Sequence, residues 1–313
     1  SLSKRDFKRI TDPLSKFGAK FFLKNKKYLP LTICGSTNLK PVTYKENRGS
    51  AQCKSSVIFA GMRTEGETKI KAKKSRDHTE LFLKYLRLPI KIERKNKYDL
   101  IEINGQVQFK SFDYFVPGDA SSSAFFIVLT LLLKNSKLKI KNVNINPSRI
   151  GFIKIINKMG GKIKFTNKKT IYGEKVADVC VKSQKNFKSI NCPVDLNSSA
   201  IDEFLLIFLL ASKASGVSSF KNLEELDKKE SPRLQLGAKI LKEMGVKIIL
   251  NKGSIKIFGN PKLSINKKIL VKNYHKDHRI FMTSVIAAIC YGGKWVIDDM
   301  ESYESSFPSF LKI

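Results

Sequence analysis

The sequence predicts an α/β (α+β) chain of two domains built from repeated modules, and three observations carry that expectation. The 313 residues suit two domains of roughly 100–200 residues each. Hydrophobic residues make up 42% and aromatics 10%, far more than a basic disordered tail holds, although the formal net charge is +32. Finally, helix-period and strand-period segments alternate in a layout that recurs along the chain.

Four segments share one plan of a basic residue, an amphipathic stretch, a break and a β-rich run. They start at Arg5, Arg76, Arg149 and Arg233, and the breaks at Gly18, Leu88, Gly160 and Gly245 follow after 13, 12, 11 and 12 residues. In IGFIKIINKM and LQLGAKILKEM the apolar residues recur at helical spacing, and the glycine behind each suits a helix C-cap. Between these segments lies a second recurring element, an apolar helix closed by a strand. It reads SAQCKSSVIFAGMRTEGETKIKA, DASSSAFFIVLTLLLKNSKLKIK, IDEFLLIFLLASKASGVSSFKN and DHRIFMTSVIAAICYGGKWVID. The module is therefore helix, strand, loop, helix, strand, with the all-apolar helices expected inside the sheets. Pro117 and Gly118 mark a hinge near Phe115, which divides the chain into domains 1–116 and 117–313.

The five cysteines, Cys34, Cys53, Cys180, Cys192 and Cys290, are odd in number and lack C-x-x-C spacing. That argues against a zinc ribbon or disulfide framework and for a reducing, cytoplasmic setting. The longest apolar run, 124–133, is about half of the roughly 20 residues a membrane span needs, so no membrane segment is expected. The chain opens on Ser1 within an already patterned segment, which predicts further sequence upstream.

Polar residues gather where the layout puts loop ends and helix starts. Ser50, Ala51 and Gln52 open one helix, Ser75 and Arg76 a second, Asp119, Ser121 and Ser122 a third, and Asp202 a fourth. Helix capping accounts for such residues singly. KKESPR gathers Lys228, Lys229, Glu230 and Arg233, and KDHR gathers Lys276, Asp277, His278 and Arg279. A solvated charge run is the bland reading of each, yet both clusters sit at matching junctions of the repeat. Several helix N-termini facing one cleft would make an anion site.

The strings SLSKRDFKRITDPLSKFGA, GSAQCKSS, SRDHTE, VPGDASSSAF, IDEF, LEELDKKESPRL, DHRIFM and SSFP, in this order, resemble the 5-enolpyruvylshikimate-3-phosphate synthase family over essentially the whole chain. The resemblance implies two domains of repeated β-α-β-α-β-β units, an inside-out α/β barrel, with the active site between them and the first domain incomplete. It implies transfer of the enolpyruvyl group of phosphoenolpyruvate to the 5-hydroxyl of shikimate 3-phosphate, with release of phosphate. By the same resemblance Ser50, Ala51, Gln52, Ser75 and Arg76 would hold the shikimate phosphate and ring. Asp202 would accept the hydroxyl proton, and Glu230, beside Lys229, would act at the methylene carbon. Arg5, Arg233 and Arg279 would clamp phosphoenolpyruvate. Two phosphorylated substrates need several cations, and general acid–base work needs two carboxyl groups, which suits this set. His278 reads as a structural residue, with a minor proton-carrier role as the alternative.

No metal ligand set is legible, and no cofactor or metal is expected. The implied partners are the two small substrates alone, with a monomer and no nucleic acid. Where most of the family reads KESDR this chain reads KESPR, so Pro232 removes a carboxylate and an N–H immediately before Arg233. The family's upstream Lys-Ser contact and Gly-rich loop have no counterpart after Ser1. Two other readings stand beside this one. The UDP-N-acetylglucosamine enolpyruvyl transferase shares the fold and chemistry, but SRDHTE and KES favour the shikimate enzyme. A basic nucleic-acid-binding protein would explain +32, but the lysines are dispersed and no recognition motif is present.

Overall fold

The computed structural model describes residues 6–313, so Arg5 lies outside the described residues. By packing, the chain divides into two units. The first runs to Phe115 and takes in Thr170–Glu174; the second holds Val116–Lys169 and Lys175–Ile313.

In the first unit, α1 (Lys8–Ser15) precedes an antiparallel hairpin of β1 (Lys20–Lys24) and β2 (Tyr28–Cys34). There follow β3 (Thr43–Glu46), α2 (Ala51–Arg63), β4 (Glu67–Lys73), α3 (His78–Tyr85), β5 (Ile90–Arg94) and β6 (Tyr98–Asn104). Their sheet has the order β3-β4-β6-β5, with β3 and β4 parallel and the other pairs antiparallel. Strand alternation selects its faces: β4 buries Thr68, Ile70 and Ala72 and exposes Glu67, Lys69, Lys71 and Lys73. The buried face packs on Val57, Ile58 and Met62 of α2 and Leu83 of α3.

The second unit repeats the same topology. Gly118 forms a parallel bridge to Val143, and then come α4 (Ala120–Leu132), β7 (Lys137–Asn144), α5 (Gly151–Lys158), β8 (Ile163–Ile171) and β9 (Glu174–Lys182), ordered β7-β9-β8, with Thr170 and Ile171 of β8 and Glu174 of β9 counted in the first unit. Gly118, expected at a hinge, is thus tied into a sheet: its N–H donates to Asn142 O at 2.8 Å and its carbonyl accepts from Asn144 N at 2.8 Å. Next come β10 (Phe187–Lys188), α6 (Asn197–Ala200), α7 (Phe204–Ser212), β11 (Ala214–Phe220), α8 (Arg233–Glu243), β12 (Ile248–Asn251) and β13 (Ser254–Gly259), in sheet order β10-β11-β13-β12. A parallel pair, β14 (Lys268–Val271) and β15 (Lys294–Ile297), flanks α9 (His278–Tyr291). In each four-strand order the first two strands are parallel, with a helix between them, and the last two form an antiparallel hairpin.

The repeat seen in the sequence is therefore a repeat of topology, and its punctuation is physical. Gly18, Gly160 and Gly245 follow α1, α5 and α8 with φ of +111°, +95° and +83°, the left-handed close that a Cβ disfavours. After α3 the turn falls on Arg87, φ +58°, one residue before the expected break at Leu88, so a non-glycine takes that conformation. Helices lie inside and sheets outside: every residue of α7 is buried, and α7 packs on α4, α5, α8 and α9.

Phe208 of α7, 1% exposed, has its ring centroid 5.2 Å from Phe220 and 5.9 Å from Phe204. Phe208→Ala is expected to destabilise the protein by about 3–5 kcal/mol. This reads as a lower urea midpoint at unchanged slope; a loss under about 1 kcal/mol would contradict the placement of α7.

Candidate active site

In the second unit the site grows from two helix starts and the turn before a third helix. Arg233 is the first residue of α8, behind Pro232, whose missing N–H leaves no intrahelical bond unmade. The departure from KESDR is absorbed elsewhere. Asp227 caps α8, accepting from Leu234 N at 2.8 Å and Gln235 N at 3.3 Å. Asp277 caps α9, accepting from Arg279 N at 2.9 Å.

These two starts are joined by a desolvated ion pair. The Arg233 side chain is 1% exposed, with Nε donating to Asp277 Oδ2 at 2.8 Å and Nη2 to Asp277 Oδ1 at 3.2 Å. Ser231 Oγ donates to the same Asp277 Oδ2 at 2.7 Å. The rest of the guanidinium reaches two further acids, Nη2 on Glu230 and Nη1 on Asp202 Oδ1 at 3.3 Å. Lys229 Nζ also lies 3.3 Å from Asp202 Oδ1. Burial pushes the Asp277 carboxyl up, but Arg233 and its hydrogen bonds outweigh burial and hold it below the usual range.

Asp202 was expected to open a helix. It lies instead in the turn before α7, which begins at Phe204, and its carboxylate is turned to Lys229 and Arg233. Its backbone carbonyl accepts from Arg279 Nη1 at 3.0 Å. The same Nη1 lies 3.6 Å from Glu203, which is buried and also accepts from Ser121 Oγ. Burial pushes the Glu203 carboxyl up, against the pull of Arg279. Ser121 in turn accepts from Arg149 Nη2 at 2.8 Å, and the same Nη2 donates to Asp119 at 2.6 Å. Asp119 also caps α4 through Ser122 N at 2.8 Å. His278 opens α9, and burial and then Arg279 hold its imidazole below the usual range.

In the first unit, Ser50 caps α2, accepting from Cys53 N at 3.3 Å and from Arg9 Nη2 at 3.0 Å. The Glu46 carboxylate pins the approach, accepting from Arg48 N, Gly49 N and Ser50 N at 2.9, 2.7 and 3.2 Å. Ala51 and Gln52 are the first two residues of α2. Ser75 and Arg76 do not open α3 as expected: that helix begins at His78, and they form the connection after β4. The Ser75 hydroxyl oxygen is buried with no hydrogen-bond partner.

Comparison with known proteins now decides the family. The family model described as EPSP synthase (3-phosphoshikimate 1-carboxyvinyltransferase) matches residues 1–313. The chain belongs to the EPSP synthase family. It is 39% identical to the 3-phosphoshikimate 1-carboxyvinyltransferase of Petrotoga mobilis, over all of this chain and 71% of that one. It is 36% identical to the protein of the same name from Zymomonas mobilis, over 99% and 69%. Among solved structures, EPSP synthase from Acinetobacter baumannii superimposes with a TM-score of 0.87 at 33% identity, covering 100% of this chain and 70% of that one. The enolpyruvyl transferase NikO from Streptomyces tendae shares the fold, with a TM-score of 0.75 at 14% identity over 99% and 71%. The names of these curated relatives carry the shikimate enzyme rather than its UDP-N-acetylglucosamine sister.

Against that family membership, the structure brings Asp202, Lys229, Glu230, Arg233 and Arg279 together in one unit. It places Ser50, Ala51, Gln52, Ser75 and Arg76 in the other. The two charge clusters divide. Lys228 and Lys276 are exposed and pair with Glu225 and Glu301, as a solvated run would, while their neighbours turn inward. Residues that the sequence did not single out are Glu203, Lys54 and Glu80, and Arg149 was marked only as the start of a repeat segment; all of them are hydrogen-bonded or ion-paired inside the units. Among the described residues, no group of three or more His, Cys, Asp or Glu is placed to hold a metal, and no helix is long and apolar enough to cross a membrane.

Asp277→Asn is expected to cost about 3–5 kcal/mol, because it strips a buried guanidinium of its bidentate partner. The native Asp277 carboxyl lies below its unfolded value near 3.9, so its contribution is present above about pH 4 and is lost as pH falls through the folded value. Urea midpoints measured from pH 6 to pH 3 should fall more steeply for the unmodified protein than for the variant; equal slopes would contradict the pair.

Proposed function

We propose that this chain transfers the enolpyruvyl group of phosphoenolpyruvate to the 5-hydroxyl of shikimate 3-phosphate, releasing phosphate, in aromatic amino acid biosynthesis. The observation that carries the reading is one guanidinium, Arg233, bridging two acids of unequal exposure, Asp202 and Glu230, with Lys229 beside them. The Asp202 side chain is 14% exposed and that of Glu230 is 40%.

The chemistry needs proton transfers at two separate atoms, one at the 5-hydroxyl and two at C3 of phosphoenolpyruvate. Asp202, its charge balanced by Lys229 and Arg233, accepts the proton of the 5-hydroxyl as that oxygen bonds to C2 of phosphoenolpyruvate. Glu230 delivers a proton to C3, turning the methylene into a methyl group and leaving a tetrahedral carbon at C2. Glu230, now a carboxylate, takes a proton back from that methyl as the C2–O bond to phosphate cleaves, which restores the double bond in the product and releases phosphate. Arg279 and Lys229 supply positive charge for the phosphoenolpyruvate anion. A substrate carboxylate reaches Arg233 by replacing Glu230, the most exposed of its three acid partners.

In the first unit, the α2 start at Ser50, Ala51 and Gln52 and the connection at Ser75 and Arg76 receive the phosphate and ring of shikimate 3-phosphate. A buried hydroxyl without a hydrogen-bond partner, that of Ser75, followed in sequence by Arg76, suits a phosphate oxygen. The reading includes Arg5 as a further contact to phosphoenolpyruvate. It also includes a monomeric, cytoplasmic protein that takes small phosphorylated substrates and no nucleic acid. Exposed lysines are spread over strands of both units, Lys69, Lys71 and Lys73 on β4 and Lys164, Lys168 and Lys169 on β8.

The test is phosphate release by the complete protein that contains this chain, given both substrates. Glu230→Gln should lower kcat by about 10²–10⁴-fold with little change in KM. A variant that keeps more than about a tenth of kcat would exclude Glu230 from the proton transfer.

A further inference from the structure

Lys54 lies on α2 with 1% of its side chain exposed, and a buried ammonium is stable only with partners for its charge and its donors. Two are in place. Nζ is 2.5 Å from Oε1 of Glu80 on α3, itself 1% exposed, and donates to the backbone carbonyl of Arg76 at 2.9 Å. Burial pushes the Glu80 carboxyl up and Lys54 draws it back.

Tying α2 to α3 does not require this ion pair. Ser55 Oγ and Thr79 Oγ1 already join the two helices at 2.7 Å, and apolar side chains of similar volume hold helices together as well as a buried ion pair does. An apolar side chain has no donor for the Arg76 carbonyl. That carbonyl belongs to the connection carrying Ser75 and Arg76, while the Lys54 N–H donates to Ser50 O at 3.0 Å at the start of α2. One residue is therefore bonded to both segments assigned above to the shikimate phosphate.

We propose that Lys54 is a positioning residue: its ammonium fixes the Ser75–Arg76 backbone relative to the α2 start, and so sets the geometry in which the first unit receives a phosphate. This rests on the reading of Ser50–Gln52 and Ser75–Arg76 as the shikimate 3-phosphate contacts.

The test compares Glu80→Gln with the double variant Lys54→Met/Glu80→Gln in the complete protein. The double variant removes both charges at similar volume, whereas Lys54→Met alone strands a buried carboxylate and can fail to fold. Amide hydrogen exchange at residues 75–77 and the Kd for shikimate 3-phosphate are both measured. In the double variant exchange is expected to be about tenfold faster and the Kd about tenfold higher, with KM for phosphoenolpyruvate within about twofold. In Glu80→Gln, which keeps the donor to Arg76, exchange and Kd should stay within about threefold. Wild-type exchange in the double variant, equal effects in both variants, or loss of folding in the double variant each overturn the proposal. If the wild type binds no shikimate 3-phosphate, the substrate reading fails, and the exchange data still decide whether Lys54 positions the connection.

Discussion

The second-unit site depends on one desolvated guanidinium. Arg233 is 1% exposed, and a planar cation with five N–H donors withdrawn from water has to be met by acceptors in its own plane. Asp277 takes it bidentately, and from that contact the remaining geometry follows. Asp277 also caps α9 and thereby sets where Arg279 starts; Arg279 holds the Asp202 carbonyl; Asp202 and Glu230 complete the guanidinium's acceptors. Apolar residues of equal volume would hold α8 and α9 together as well. What they would not supply is a fixed spacing between two carboxylates with a cation between them, which is what the proposed proton transfers need.

Much of this was legible in the residues, and the parts that were not have definite causes. Helical spacing in LQLGAKILKEM and strand alternation in ETKIKAK reappear as α8 and β4 because each has one face to bury. The all-apolar stretch FLLIFLLAS has no polar face, and it lies in the middle of the second unit. Helix starts were less legible. Asp202 and Ser75 look like caps, and both are polar residues one or more positions before a helix, but capping depends on which backbone N–H a side chain meets, not on residue type. Asp227 caps α8 from seven residues before Leu234, a relation that only the folded chain displays.

The site's inner partners were hidden for a related reason. Glu203 and Lys54 stand in IDEF and AQCKSS with nothing local to mark them as buried, since charged residues are rarely buried and short-range pattern does not show a partner 22 or more residues away. Glu203 meets Ser121 and Arg279, and Lys54 meets Glu80 and Arg76, all through tertiary contact. The +32 charge, by contrast, pointed first to a polyanion. The structure spends few of those cations on site contacts and leaves β4 and β8 lysines facing water, where their number has little bearing on the chemistry.

The central claim is that Glu230 moves a proton to and from C3 of phosphoenolpyruvate. The direct measurement is deuterium uptake at C3 when the complete protein works on phosphoenolpyruvate and shikimate 3-phosphate in D2O, followed by NMR. The account predicts deuterium in the product methylene and in unreacted phosphoenolpyruvate, both greatly reduced by Glu230→Gln. Phosphate release with no deuterium at C3 would contradict it, because addition to the double bond requires a solvent-exchangeable proton at that carbon.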